Sequence, residues 1–202
     1  MRQFILATAL ALVGVSAQAQ NSDAPETLFG GFKVDNIGVM AEGFYGFSQI
    51  SGSDAHILGA RAGAVFNNQF TLGGYFQQSV NQNFRPTELL PADQYMDFWS
   101  AGGFVEYTVA ANKLVHLSIP VMIGVGEVQA DNDAGDLGSP EASFLLIEPA
   151  VLMEVNLMKN LRFNLGTAYR FTSDFDYLGV DQSDLAGLRF HGGLKFVFNR
   201  AS

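Results

Sequence analysis

His116 and Ser118 stand two residues apart in an apolar run, so in an extended segment they share one face, as a general base and a nucleophile must. A third group has to orient the imidazole. Glu127 cannot do so: at roughly 3.3 Å per residue it lies about 30 Å along the strand from Ser118, on the other face. Glu106, on the preceding apolar run, is nearer. The pair follows directly after a short turn, close to the end of its element, and its alternative role is to fill the polar face of a strand. We expect that role, and no catalytic site.

Oxygen ligands of the kind calcium takes occur in Asp131-Asn132-Asp133-Ala134-Gly135-Asp136, with Glu141 further on. The EF-hand spacing is not met, because Gly135 stands at a ligand position and Asp136 at the glycine position. A solvated acidic loop is the first reading. A looser cation site at Asp131, Asp133, Asp136 and Glu141, or bridging by divalent ions to surface phosphates, is the second. His56, His116 and His191 lack metal-ligand spacing. Gly59-Ala60-Arg61-Ala62-Gly63 and Gly124-Val125-Gly126 are strand glycines, since no helix follows to complete a phosphate loop. No cofactor is expected. Asp174, Asp176, Asp181 and Asp184 alternate with Phe175, Tyr177 and Leu178, which suits either an adhesive tip or a loop packed over the mouth of the fold.

The elements that position these groups are eight apolar runs of period two: 37–50, 56–66, 69–79, 95–109, 113–128, 143–156, 161–172 and 188–199. Three links are tight, Asn67-Asn68, Ala110 to Asn112 and Leu157 to Asn160, each with an Asn that tolerates positive φ. The other four, 51–55, 80–94, 129–142 and 173–187, are longer and polar. Such alternation predicts an all-β, eight-stranded, antiparallel up-and-down transmembrane β-barrel, its strands crossing the bilayer at a tilt. Residues 1–19 read as a signal peptide, with Arg2, an apolar stretch and an Ala17-Gln18-Ala19 cleavage site. Residues 20–36 read as a periplasmic lead-in and 37–199 as the barrel. With Arg2 removed, ten basic side chains face twenty acidic ones, which argues against nucleic acid as a partner. The chain has no cysteine, so disulfides and an acylated N-terminal cysteine are excluded.

One face of the strands can meet hydrocarbon. Leu188, Phe190, Leu194, Phe196 and Phe198 alternate with Arg189, His191 and Lys195, and the seventh run opposes Leu161, Phe163, Leu165 and Phe171 to Arg162, Asn164 and Arg170. The polar face collects Glu42, Arg61, Glu106, Glu148, Glu154, Arg162, Arg170, Arg189 and Lys195. Basic side chains facing lipid at midplane cost roughly 2 to 4 kcal/mol each, so turning this set outward costs on the order of 10 kcal/mol, a domain's whole stability. An inward network with nearly balanced signs is expected. Two aromatic belts flank the aliphatic band. Phe66, Phe70, Tyr107, Phe163, Phe196 and Phe198 lie toward the short turns, and Tyr45, Phe47, Phe76, Trp99, Phe171 and Phe190 toward the long loops. A soluble lipocalin-like carrier would invert this arrangement and needs no belts. Pro120 and Pro149 fall within runs and predict a bulge or local irregularity. Met40, Phe44, Tyr75, Phe104, Met122 and Leu152 make the inner face mixed, and an eight-stranded interior is filled by side chains, so no open pore is expected.

The C-terminal run His191-Gly192-Gly193-Leu194-Lys195-Phe196-Val197-Phe198 resembles the β-signal of outer-membrane barrels, with Asn199, Arg200, Ala201 and Ser202 following where such chains usually stop. The resemblance implies delivery to the barrel-assembly machinery. From 37 to 199 the chain is similar to small eight-stranded barrels of the outer membrane protein A and X kind (OmpA/OmpX-like). Phe29-Gly30-Gly31 and Asn112-Lys113-Leu114-Val115-His116 are similar to segments of poorly characterised Bacteroidota barrels. This implies an outer-membrane location, contact with outer-membrane lipids and lipopolysaccharide, and a structural or surface-interaction role, in adhesion or envelope integrity. An unidentified extracellular partner would meet the acidic loops. Small barrels that trim lipid A carry a similar His-x-Ser pair with a Glu, so a lipid-modifying enzyme is the alternative. Lipid A lies in the outer leaflet, whereas His116 and Ser118 sit near the short-turn end.

Overall fold

Period-two alternation buries one face of every strand and leaves the other out, while the backbone edges of eight such strands are all paired only if the sheet closes on itself. The computed structural model describes residues 34–50, 52–81, 84–85, 87–90, 94–131 and 141–199. The leader, the lead-in as far as residue 33, and Asp133 and Asp136 lie outside the described residues. The long strands are β1 (Ile37–Ile50), β2 (Ser53–Phe66), β3 (Phe70–Ser79), β4 (Tyr95–Val109), β5 (Val115–Asp131), β6 (Ala142–Asn156) and β7 (Leu161–Thr172). They are followed by the two-residue strands β8 (Asp176–Tyr177) and β9 (Val180–Asp181), the helix α1 (Gln182–Leu185) and the last barrel strand β10 (Gly187–Asn199). The order β1-β10-β7-β6-β5-β4-β3-β2 closes an antiparallel barrel.

Register fixes its dimensions. Following Cα partners around the ring from Leu117 passes through Met153, Leu165, Gly192, Tyr45, Leu58, Gln78 and Trp99 and returns to β5 at Glu127. A stagger from 117 to 127 over eight strands corresponds to a strand tilt of about 40°. No register slips at the prolines. Ser118 faces Leu152 and Val121 faces Pro149, while the two intervening pairs are missing. Likewise Ile147 faces Phe171 and Ala150 faces Ala168 with a gap between. The irregularity at Pro120 and Pro149 is therefore a break in the ladder where an N–H is absent, without an inserted residue, and both faces keep their phase.

The turns differ from expectation in two places. Asn67 and Asn68 have φ of 52° and 58°, and Gln69 N–H donates to the Phe66 carbonyl, a tight turn within a three-residue link, since Phe66 pairs with Phe70 and Gln69 lies outside the strand. In the second link the positive φ belongs to Ala110, not Asn112, and Lys113 N–H closes the turn onto the Ala110 carbonyl. Among the described residues the third link has no positive φ; Leu161 N–H closes it onto the Met158 carbonyl. The first long link shrinks to two residues, because Ile50 pairs with Ser53 across Gly52. Ser53 and Asp54 are strand residues: Asp54 accepts a hydrogen bond from Gln49 across the hairpin while Ala55 is fully buried.

Inside, the residues segregate by height. At the long-loop end Ile50, Ile57, Phe98, Val128, Phe144 and Leu146 point inward and are joined by Phe84 and Leu90 from the 80–94 link and by Tyr177, Val180 and Leu185 from the last one. Tyr177 Oη accepts a hydrogen bond from Ala130 N–H at 3.0 Å, and Phe175 packs at 5.3 Å from Phe144. The last loop thus packs over the mouth, as the second of its two readings expected. Below this apolar lid the interior is mixed, with charged and polar side chains set among Met40, Phe44, Phe104, Met122 and Leu152.

Candidate functional site: a charged interior network

The ionised residues enter the interior because they occupy alternate positions of strands whose other face is apolar. Glu42, Arg61, Glu106, Glu148, Glu154, Arg170, Arg189 and Lys195 are each no more than 3 % exposed, and Arg162 is half-buried near the short-turn end. They form two groups. Toward the short turns, Arg61 bonds Glu42 at 2.7 Å and Glu106 at 2.9 Å, and Lys195 reaches Glu106 at 2.8 Å, Glu42 at 3.9 Å and Glu154 more closely still. Arg162 lies 3.4 Å from Glu154. Toward the long loops, Glu148 is shared by Arg189 at 2.5 Å and Arg170 at 3.2 Å. Several contacts follow from register: Glu42 pairs laterally with both Arg61 and Lys195.

Rings cover the guanidinium faces that carboxylates leave open. Arg61 lies over Phe104 at 5.3 Å, Arg170 over Phe98 at 4.7 Å and Arg189 over Phe44 at 5.1 Å. This explains why bulky apolar side chains occur on the inner face. Polar partners not assigned to the network from sequence also join it. His191 Nε2 is 3.2 Å from Glu42, Asn164 donates to Glu42 at 3.1 Å, and Gln77 accepts from Arg189 at 2.8 Å and donates to Ser100 at 3.1 Å. Each lies on the polar phase of its strand, a signal present in the alternation but overshadowed by formal charge.

No base–nucleophile pair is assembled at His116 and Ser118. The ring nitrogens of His116 are taken by the Glu154 carboxylate at 3.0 Å and the Lys113 carbonyl at 3.1 Å. Ser118 Oγ is buried with no hydrogen-bond partner among the described residues. The acid beside the imidazole is Glu154, its cross-strand partner, not Glu106, which is turned to Arg61 and Lys195. Of the cation-site residues, Asp131 ends β5 and Glu141 is exposed. Among the described residues no cluster of three His, Asp or Glu side chains forms a metal site.

The aromatic residues expected in the two belts are all on the outer phase of their strands. Tyr45, Phe76, Phe171 and Phe190 are exposed toward the long loops with Phe47 and Trp99 half-covered, Phe76 stacking on Trp99 at 6.3 Å. Tyr107, Phe163, Phe196 and Phe198 are exposed toward the short turns, where Phe66 pairs with Phe70 and Phe70 with Tyr107 in one row. Between these rows Ala41, Ala62 and Gly74 lie in register, part of a shallow groove of about 710 Å³ in the outer surface.

A closed ring of eight strands, apolar without and ionised within, defines the class: this is the fold of the small outer-membrane β-barrels. Neisserial surface protein A superposes with a TM-score of 0.57 at 12% identity, over 79% of this chain and 96% of that one. The attachment invasion locus protein Ail of Yersinia pestis, in complex with the heparin analogue sucrose octasulfate, matches with a TM-score of 0.46 at 18% identity, over 81% and 99%. A major outer membrane protein from Thermus thermophilus gives 0.45 at 10% identity, over 79% and 99%. No family model and no curated protein matches the sequence.

Proposed function

We propose that the chain is an integral outer-membrane protein with a closed interior, serving a structural or surface-interaction role in adhesion or envelope integrity and turning over no substrate. The short turns face the periplasm, the wall meets lipids and lipopolysaccharide, and the barrel-assembly machinery receives the C-terminal strand. One observation carries this reading, the height of the outer apolar band. Apolar outward positions run from Ile37 to Phe47 on β1, Val115 to Val125 on β5, Leu145 to Val155 on β6 and Leu188 to Phe198 on β10. About ten residues at 3.3 Å each and tilted by about 40° rise about 25 Å, the hydrocarbon-facing height of such barrels. Above it the same face becomes polar, as at Gln49, Glu127, Gln129 and Ser143.

The interior supports a closed role. An apolar lid covers the long-loop end, and near the short turns a space of about 10 Å³ lies among Met40, Val65, Thr108 and Lys195, room for about one water. Recognition then falls to the acidic long-loop end, where Asp54, Glu88, Asp174, Asp176 and Asp181 are exposed. Membrane fractionation with gel migration before and after boiling tests the placement. Recovery in the outer-membrane fraction with heat-modifiable migration is expected, and recovery in the periplasm without detergent contradicts it. In planar bilayers the folded protein is expected to leave conductance at baseline.

A further inference from the structure

We propose that the interior holds one small monovalent anion, of halide size, against the guanidinium of Arg170. In the short-turn group three acids, Glu42, Glu106 and Glu154, face three bases, Arg61, Arg162 and Lys195. In the long-loop group Arg170 and Arg189 share Glu148, whose side chain is the one carboxylate facing the axis there among the described residues. Asp97 belongs to the outward phase of β4 and is engaged by Ser79 Oγ and the Phe98 amide. One positive charge is therefore left over, and it falls on Arg170. Arg189 uses Nη1 on Gln77 and Nη2 on Glu148 and leaves only Nε buried without a hydrogen-bond partner. Arg170 uses only Nε, while its Nη1 and Nη2 are buried without a hydrogen-bond partner.

Phe98 lies against the face of this guanidinium, so its open donors are those in the plane. Two residues along the same face, Thr172 Oγ1 is also buried and without a partner. A buried cation without a full complement of acceptors costs several kcal/mol, and a water molecule would answer the donors but leave the charge. An anion answers both, and the Nη1–Nη2 edge is the geometry by which arginine grips anions. A single negative charge balances the group, and apart from the Thr172 hydroxyl the neighbouring Ala150, Ala168 and Phe98 add no side-chain donor, which suits an ion of halide size. The lid above implies that the anion enters as the barrel closes. This inference concerns the interior alone and does not depend on the membrane reading.

The test refolds the full chain from urea in sodium bromide or in sodium gluconate at equal ionic strength, then crystallises it. An anomalous bromide peak in contact with Arg170 Nη1 or Nη2 is expected, and none there for Arg170→Met. At bromide about ten times its dissociation constant, the folded-to-unfolded ratio of the natural chain should be about tenfold higher than in gluconate, with the difference gone in Arg170→Met. Should Arg170→Met not fold, the natural chain decides by itself. A missing peak, or equal unfolding midpoints in the two salts, overturns the proposal, and density for water alone at Arg170 does the same.

Discussion

Lys195 is held by Glu42, Glu106 and Glu154 at once, so its ammonium joins three strands of the ring. Replacing it with Met of similar length leaves three buried carboxylates facing Arg61 and Arg162. Removing one partner of a buried ion pair costs about 3 to 5 kcal/mol, and urea unfolding of Lys195→Met should show a loss of that size. Adding Glu154→Gln should recover part of it, because the uncompensated charge goes with the carboxylate. A backbone position is equally constrained: a Cβ at Gly59 would lie 2.2 Å from the Phe44 ring, which stacks on His191 at 4.8 Å and underlies Arg189. Gly59→Ala is expected to destabilise by about 1 to 3 kcal/mol in the same assay. His116→Ala, in contrast, should leave lipid A acylation unchanged by mass spectrometry, since Ser118 has no hydrogen bond to activate it.

At the scale of elements, the last outer loop is a small fold of its own. The turn at Leu178 and Gly179, with φ of 51° and 78°, joins β8 to β9, and Asp181 then caps α1 by accepting from the Ser183 and Asp184 amides. The Ser183 hydroxyl and amide hold the Asp181 carboxyl below the ordinary carboxylate range. A lowered folded-state value means that the cap's contribution is present above the unfolded-state value and lost as pH falls through the folded one. Amide exchange at Ser183 and Asp184 should therefore quicken at acid pH, beyond the intrinsic rate, and Asp181→Ala should quicken it already at neutral pH. These elements show what the sequence could and could not convey. Period-two alternation located every barrel strand, because a buried face leaves no other phase. It failed at 53–55 and 129–131, where the strands run beyond the apolar band and polar outward residues imitate a loop. The short β8–β9 hairpin was hidden for another reason, since its stability comes from packing Tyr177, Val180 and Leu185 on the barrel, which local composition does not record.

For the whole molecule, stability depends on which surface meets which solvent. Leu165→Arg, on the outer face near mid-height, is expected to cost about 2 to 4 kcal/mol in a bilayer, whereas Gln78→Arg near the polar rim should cost about 1 kcal/mol or less. Urea unfolding in lipid vesicles reads both. The inner and outer faces were legible in the sequence because charges sat on one phase throughout. The division of the interior into two charge groups under an apolar lid was not, since it depends on the stagger of strands and on loops folding inward. The chain's single tryptophan, Trp99, makes the most direct test simple. In a Trp99→Phe background, single tryptophans are placed by Leu117→Trp, Val151→Trp and Leu165→Trp on the outer phase and by Phe44→Trp, Phe98→Trp and Phe104→Trp on the inner one, and each variant is refolded into vesicles containing brominated lipid. Strong quenching at the first three and little at the second three is the predicted result; quenching at positions 44, 98 and 104 with positions 117, 151 and 165 shielded would contradict it.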